Sequence, residues 1–591
     1  MTYGSVRGAC LALVLAATVT AAPAGPPADL VLTGGTVVTL DPARPRATAL
    51  AVRGGRIVAV GTDADVRALA GPRTQTIDLA ARTVLPGLAD AHVHVEGLGA
   101  SLESLSLVGA ASLDEALERV RRVAAALPPG EWLLGRGWDQ NHWPDKRFPT
   151  AAALDAVSAG RPVYLTRVDG HAGWANSKAM ELAGVTARTV DPAGGRILRG
   201  EGGAPSGVFV DRAQALVISK IPAPAREVRK RRLLRGLRAA AEAGLTSVHD
   251  AGVGLDTVAL YKELLAEDGL PVRVYVMIAM DEFIARGSGL RPEIGLGDAR
   301  LTVRAIKVVS DGALGSRGAL LLAPYADEPG TRGLRTVDPA RFREVLGQAV
   351  ARGFQVNTHA IGDGANRLVL DAYEEALAGV PGGGASRRFR IEHAQVIAPE
   401  DVSRFKTIGV IPSVQPTHCT SDMYWATDRL GPERAKGAYL WRTFLRQGVV
   451  LAGGSDAPVE SIAVLPGIYA AVTRQDAKGW PEGGWHPEER VGIEDAIRMF
   501  SAGAAWAAFE EKERGTIAPG LRADLTIVTR DVTAIPAADI LKTEVALTIV
   551  GGRVVYDGRE GPSGTNRPRG VSGGAAANHP AGGRSANAHR E

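Results

Sequence analysis

The apolar positions of this 591-residue chain fall into two rhythms. Near the start, DLVLTGGTVVTLD, ALAVRGGRIVAVG and TIDLAARTVLPG alternate apolar and polar residues over short stretches broken by Gly-rich turns, as half-buried strands do. The same rhythm returns in GTIAPGLRADLTIVTRD and VALTIVGGRVVYDG, and GGRIVAVG at 54–61 is echoed by GGRVVYDG at 551–558. Strand segments at 30–85 and 515–560 therefore bracket the chain. They are expected to fold together as a small flanking β-sandwich domain, with the long middle inserted between them.

The middle, 86–514, has a longer period. SLDEALERVRRVAAALPP opens on a capping signal, Ser112 followed by Glu115, and AREVRKRRLLRGLRAAAEAG and ARFREVLGQAVARG read as helices that stop near a glycine. Between helices lie nine short apolar runs: ADAHVH, PVYLTR, LTSVHD, RVYVMI, RAIKVV, QVNTHA, RIEHA, IPSVQ and VLAGGSD. The second, at 162–167, sits in a Trp- and Gly-rich section from about 100 to 225, which reads as an insertion subdomain. The remaining eight are the strand complement of an α/β fold, a (β/α)8 TIM barrel.

Composition narrows the function classes. A hydrophobic share of 45% supports a large core, and a formal charge of +4 without a stripe of Lys and Arg among aromatics argues against a nucleic-acid partner. Residues 1–24 read as a bacterial-type secretory signal peptide: Arg7, an apolar run from about Ala9 to Val19, then Ala22, Pro23 and Ala24. The expectation is an exported protein, periplasmic or secreted, with no membrane span in the mature chain. Cys10 falls in the signal, leaving Cys419 without a partner for a disulfide. Residues 561–591, rich in Gly, Ala, Pro and Asn, read as a flexible tail.

In a TIM barrel the polar residues at the C-terminal strand ends face the active site. Here those ends carry His92-x-His94, Lys307, Thr358-His359, Glu392-His393 and Ser455-Asp456. Residues i and i+2 on a strand face the same way, so His92 and His94 can reach one metal. Lys307, flanked by apolar residues in RAIKVVSDG, reads either as an ammonium paired with a carboxylate or as a lysine carboxylated by carbon dioxide and able to bridge two cations.

LPGLADAHVH, IKVVSDGALGSRGALLLAPY, THAIGD, RIEHAQ, SVQPTH and GGSDAPVES, with WLLGRGWDQNHWP, DGHAGWANSKA and GTIAPGLRADLTIV, resemble the metal-dependent amidohydrolase superfamily, and within it amidohydrolase family 3, the YtcJ-like group. The likeness runs from about residue 30 to 560. It implies a (β/α)8 barrel with a flanking β domain, and a hydrolase that cleaves carbon–nitrogen bonds outside peptides. It also implies that His92, His94 and Asp456 hold one metal, that His359 and His393 hold a second, and that carboxylated Lys307 bridges them. One or two Zn2+ ions are the expected cofactor.

On that reading a metal-bound hydroxide attacks the substrate carbonyl, and Asp456 takes up the proton and returns it to the leaving amine. His171, His418, Asp311 and Arg317 are candidates for contacts with a small-molecule substrate. Arg317 reads equally as a partner for a protein acid. A lactonase or other carboxylic-ester hydrolase would use the same site, and an exported non-catalytic small-molecule-binding protein is the alternative of another class. A homodimer is compatible with the sequence, though no surface patch marks it.

Overall fold

The computed structural model describes residue 1, residues 25–128 and residues 130–560. The expected signal peptide beyond Met1 and the tail at 561–591 lie outside the described residues.

Eight parallel strands follow one another around a near-closed barrel: Leu88–Val93, Leu245–Val253, Arg273–Ala279, Leu301–Val309, Gln355–Ala360, Arg390–His393, Ile411–Val414 and Ala452–Gly453. They are the eight runs the hydrophobic pattern singled out, in chain order. Two backbone hydrogen bonds join the last strand's loop to the first strand: Asp456 N–H donates to the His92 carbonyl at 2.7 Å, and His94 N–H to the Ala457 carbonyl at 2.8 Å. Gly454 makes this approach feasible, because a Cβ there would lie 2.7 Å from the His92 nitrogen.

The helices around the barrel form for the reasons their sequences suggest. In Pro339–Arg352 the buried residues Phe342, Val345, Leu346 and Ala349 fall at helical spacing, Asp338 accepts from the Arg341 N–H, and Gly353 ends the helix at φ 80°. The Ser112 side chain accepts from Glu115 N–H as a cap of Leu113–Ala126. The Glu115 carboxylate accepts from Ala111 N–H, one residue before the position a reciprocal capping box requires.

The ninth apolar run, Val163–Arg167, belongs to a separate six-stranded sheet whose strands fall between Leu105 and Asp211. Trp138, Trp143 and Trp174 pack inside the core of this insertion. At the chain ends, Leu525–Val528 pairs antiparallel with Thr83–Pro86, placing the two ends in one sheet. A second, four-stranded sheet from residues 30–78 contributes to the same apolar cluster. The two echoed glycine turns touch: a Cβ on Gly55 would lie 3.0 Å from the Gly551 carbonyl oxygen. Arg273 of the third barrel strand is held by both oxygens of Asp524, at 2.7 and 2.9 Å, tying barrel to sandwich through a buried pair. Among the described residues no helix is long and apolar enough to cross a membrane.

Candidate active site

The strand ends bring their histidines together. The rings of His92 and His94 lie 5.5 Å apart, and His393 lies 5.0 Å from His92. Asp456 stands among them: its Oδ1 is 3.5 Å from His92 Nε2 and 3.1 Å from His94 Nε2, and its Oδ2 is 3.9 Å from His418 Nε2. Each imidazole commits Nδ1 to the protein. His92 Nδ1 meets Glu392 Oε2 at 2.5 Å, His94 Nδ1 the Ala251 carbonyl at 2.9 Å, and His393 Nδ1 Gln415 Oε1 at 2.8 Å. The Nε2 atoms are thereby turned toward the centre.

Backbone conformation helps to aim these groups. His393 and Asp456 adopt left-handed φ values of 76° and 59°, unusual for side chains with a Cβ. Such conformations persist where surrounding structure holds them, at about 1–3 kcal/mol each. Beneath Asp456, the buried Asp90 accepts from the backbone N–H groups of His92 and Ser455, both at 3.0 Å, and from the Ser455 hydroxyl. Burial pushes the Asp90 carboxyl up to about 7.

Burial and then the Lys307 charge push His92 down to about 4, so it is neutral at pH 7. Burial opposes the charge on Glu392, but the His92 hydrogen bond and nearby cations outweigh it and hold the carboxyl at about 2. Asp456 is likewise held well below the usual carboxylate range, against burial, by His92, His94 and His393. Burial lowers Lys307, whose Nζ sits 2.8 Å from His92 Nε2.

The other expected residues divide. The His359 ring lies 4.5 Å from that of His393 and 5.1 Å from that of His171, with Nε2 3.3 Å from Asp311 Oδ1. His418 stacks on His393, ring centroids 5.8 Å apart. His171 reaches the site from the insertion, its Nδ1 2.6 Å from Asp211 Oδ1. Burial works against charge on His171, but the Asp211 hydrogen bond and charge raise it to about 9. Asp311 is fully buried and accepts from the backbone N–H groups of Leu320, Ile361 and Gly362, so it shapes loops and is not open to a substrate. Arg317 pairs with Asp327 at 2.9 Å and Glu328 at 3.2 Å, the protein-acid alternative of its two readings. The amidohydrolase family model matches residues 75–556.

The chain belongs to the amidohydrolase family. The putative amidohydrolase YtcJ of Bacillus subtilis is 33% identical over 538 residues, covering 89% of this chain and 98% of that protein. The N-substituted formamide deformylase of Arthrobacter pascens is 28% identical, covering 90% of this chain and 98% of the relative. The crystal structure of an uncharacterized metal-dependent hydrolase from Pyrococcus horikoshii superposes with a TM-score of 0.70 at 26% identity, covering 86% of this chain and 99% of that one. Together with the clustered ligand atoms, these matches make this amidohydrolase a metal-dependent hydrolase.

A metal fits the residues present. Ligand atoms of His92, His393 and Asp456 all lie within 4.8 Å of one another, and all three residues are buried. His418 Nε2 is buried and makes no hydrogen bond among the described residues, as a donor awaiting a cation does, while Asp456 Oδ1 and His359 Nε2 face polar partners in His94 and Asp311. The expected cofactor arrangement is corrected, however. The group of side chains placed to hold a metal is His92, His393 and Asp456, and not a site built on a bridging carboxylated Lys307. The Lys307 amine approaches the His92 imidazole directly, so it serves as that ring's polar neighbour. Two imidazoles and a carboxylate suit several divalent cations, and nothing in this set singles out zinc.

Sequence reasoning missed the supporting groups. Glu392 was visible beside His393, but its partner is His92, 300 residues earlier in the chain. The pattern held a usable signal: an inward-facing histidine ligand needs an acceptor for its second nitrogen, and Glu392 lies at the C-terminal end of a strand of the same barrel. Asp90, Asp211 and Gln415 gave no comparable signal.

Proposed function

We propose that this amidohydrolase cleaves the carbon–nitrogen bond of a non-peptide amide, with Asp456 carrying a proton from the attacking water to the leaving nitrogen. The observation that carries this reading is the setting of Asp456, a buried anionic carboxylate within 3.9 Å of three imidazoles. His92, His393 and Asp456 would hold a divalent cation. When bound, such a cation supplies Lewis acidity, easing loss of a proton from water and polarising a carbonyl.

The chain's own groups would do the rest. Asp456 accepts the proton of the attacking water, and the same carboxylate then delivers it to the departing nitrogen, which is far more basic. Protonated His171, fixed by Asp211, offers a donor to the oxygen on which negative charge develops. His418, stacked on His393, borders the same space. The relative named as an N-substituted formamide deformylase supports amide chemistry over ester chemistry. Export through the 1–24 segment belongs to the same proposal.

The test is a matched panel of amides and esters with common acyl groups, assayed with wild-type protein and Asp456→Asn. We expect amide turnover by the wild type and a fall in kcat of about 10²–10⁴ in the variant. Turnover of esters alone would overturn the carbon–nitrogen reading. An unchanged kcat in Asp456→Asn would remove Asp456 from the proton path.

A further inference from the structure

Between the insertion and two barrel loops lies a cavity of about 370 Å³, lined by none of His92, His393 and Asp456. Asn141 and Lys146 line it from the insertion, and Arg317 and Asp327 from the loop after the fourth barrel strand. Trp425, Asp428 and Arg429, which follow the seventh strand, complete the lining used here. Its volume falls within the range of small-molecule sites, about 300–1,000 Å³.

Three of these residues carry a nitrogen that is left over. Asn141, Trp425 and Arg429 are only 6%, 4% and 6% exposed. Asn141 Nδ2, Trp425 Nε1 and Arg429 Nε are buried and make no hydrogen bond among the described residues. All three are N–H donors. The remaining polar atoms of Asn141 and Arg429 are committed. Arg429 gives Nη2 to Asn141 Oδ1 at 2.8 Å and Nη1 to Asp327 Oδ2. Arg317 meets the same carboxylate, with Nε 3.3 Å from Oδ1 and Nη2 2.9 Å from Oδ2. Both oxygens of Asp327 and the Asn141 oxygen are thus taken, so what this wall has in excess is donors. Several buried donors without acceptors are costly, and native proteins rarely keep them together unless water or a ligand meets them.

Charge points the same way. Lys146, Arg317 and Arg429 stand against Asp327 and Asp428 in the lining, three cations to two carboxylates. Glu328, outside the lining, meets Arg317 but also Arg196, so it leaves that balance unchanged. Lys146 and Asp428 make only a long, exposed contact of 3.8 Å. Burial and then the Arg317 charge lower the Arg429 pKa, yet a guanidinium stays charged.

We infer that this cavity is a binding site for a small organic monocarboxylate, held between the insertion and the barrel loops. A carboxylate brings two oxygens with about four acceptor positions, enough for three N–H donors. Its single negative charge balances the one surplus cation, which the nearly doubly charged phosphate would exceed. The site stands apart from the proposed reaction and does not depend on it. Its occupant joins three segments of the molecule, so binding stabilises the folded state.

The experiment titrates metal-replete full-length protein by calorimetry with acetate, butyrate and benzoate, with butyramide as a neutral counterpart and with inorganic phosphate, at constant ionic strength. Wild type is compared with two variants. Asn141→Asp keeps the oxygen that meets Arg429 but replaces the spare amide nitrogen with a charged oxygen. Trp425→Phe deletes one N–H and adds no charge. We expect at least one carboxylate to bind the wild type more tightly than butyramide or phosphate, and to raise its Tm with concentration. Its affinity should fall about 30-fold or more in Asn141→Asp, where like charges meet. In Trp425→Phe the loss of one hydrogen bond should cost about 3–10-fold.

Carboxylates that bound only at the metal centre would keep their affinity in both variants, and that result overturns the proposal. So would the absence of binding by all three carboxylates, or tighter binding of phosphate or butyramide. Trp425→Phe is decisive should Asn141→Asp fail to fold: an unchanged affinity there removes the site.

Discussion

At the residue scale, the centre is organised by which nitrogen each imidazole gives away. His92, His94 and His393 all commit Nδ1 to a fixed oxygen, from Glu392, the Ala251 carbonyl and Gln415. That choice sets the tautomer, and the tautomer decides which nitrogen can bind a cation. Glu392→Gln keeps the shape but removes the charge from the His92 partner. We expect metal affinity or activity to fall about 10–100-fold, read by titrating metal-free protein with a divalent cation. Lys307 works at the same scale as a neighbour of His92 Nε2, where its sequence had suggested a modified bridge. The difference lies in a contact between strands one and four that no local spacing encodes.

At the scale of elements, two buried pairs hold the parts in register. Arg273 of the third barrel strand and Asp524 of the C-terminal sheet are both nearly fully buried and meet at two points. Arg273→Met leaves Asp524 charged and without its guanidinium. Stability should fall by about 3–5 kcal/mol in denaturant unfolding. The second pair, His171 and Asp211, lies within the insertion. Asp211 is also packed against the barrel loop, where a Cβ on Gly312 would lie 2.4 Å from its Oδ2. The folded pKa of His171, about 9, lies above its ordinary value of 6.5, so the pair stabilises fully below about pH 6.5 and loses that contribution as pH rises through 9. Wild type should therefore exceed Asp211→Asn in stability by up to about 3 kcal/mol at pH 6, and the gap should close by pH 10. A pH-independent gap in melting temperature would assign the pair a packing role alone.

At the scale of the whole molecule, the site is a product of closure. His92 and Asp456 belong to strand ends far apart in the chain, and the barrel brings them together through the backbone bonds of the 454–457 loop. A cation held by His92, His393 and Asp456 would bind the folded barrel and not the unfolded chain. Chelation should abolish activity and lower Tm, and restoring a suitable divalent cation should reverse both, with a Tm that rises with cation concentration. Comparison across first-row divalent cations then identifies the metal by recovered activity.

Much of this molecule could be read along the chain because its signals are local and periodic. Period-two apolar stretches marked the sandwich strands, helical spacing marked helices such as Pro339–Arg352, and eight strand ends could be counted once 162–167 was set aside. His92-x-His94, His393 and Asp456 stood out because a strand's alternation fixes which side chains face inward. What the chain could not disclose are contacts between elements. The pairing of Glu392 with His92, the placing of Lys307 against the same ring and the burial of Asp311 under three backbone N–H groups all depend on distances across the barrel or between its strand-end loops. Periodicity fixes the direction in which a side chain points. Only tertiary packing fixes what it meets there, because that is set by the closure of the strands and the docking of the insertion over them.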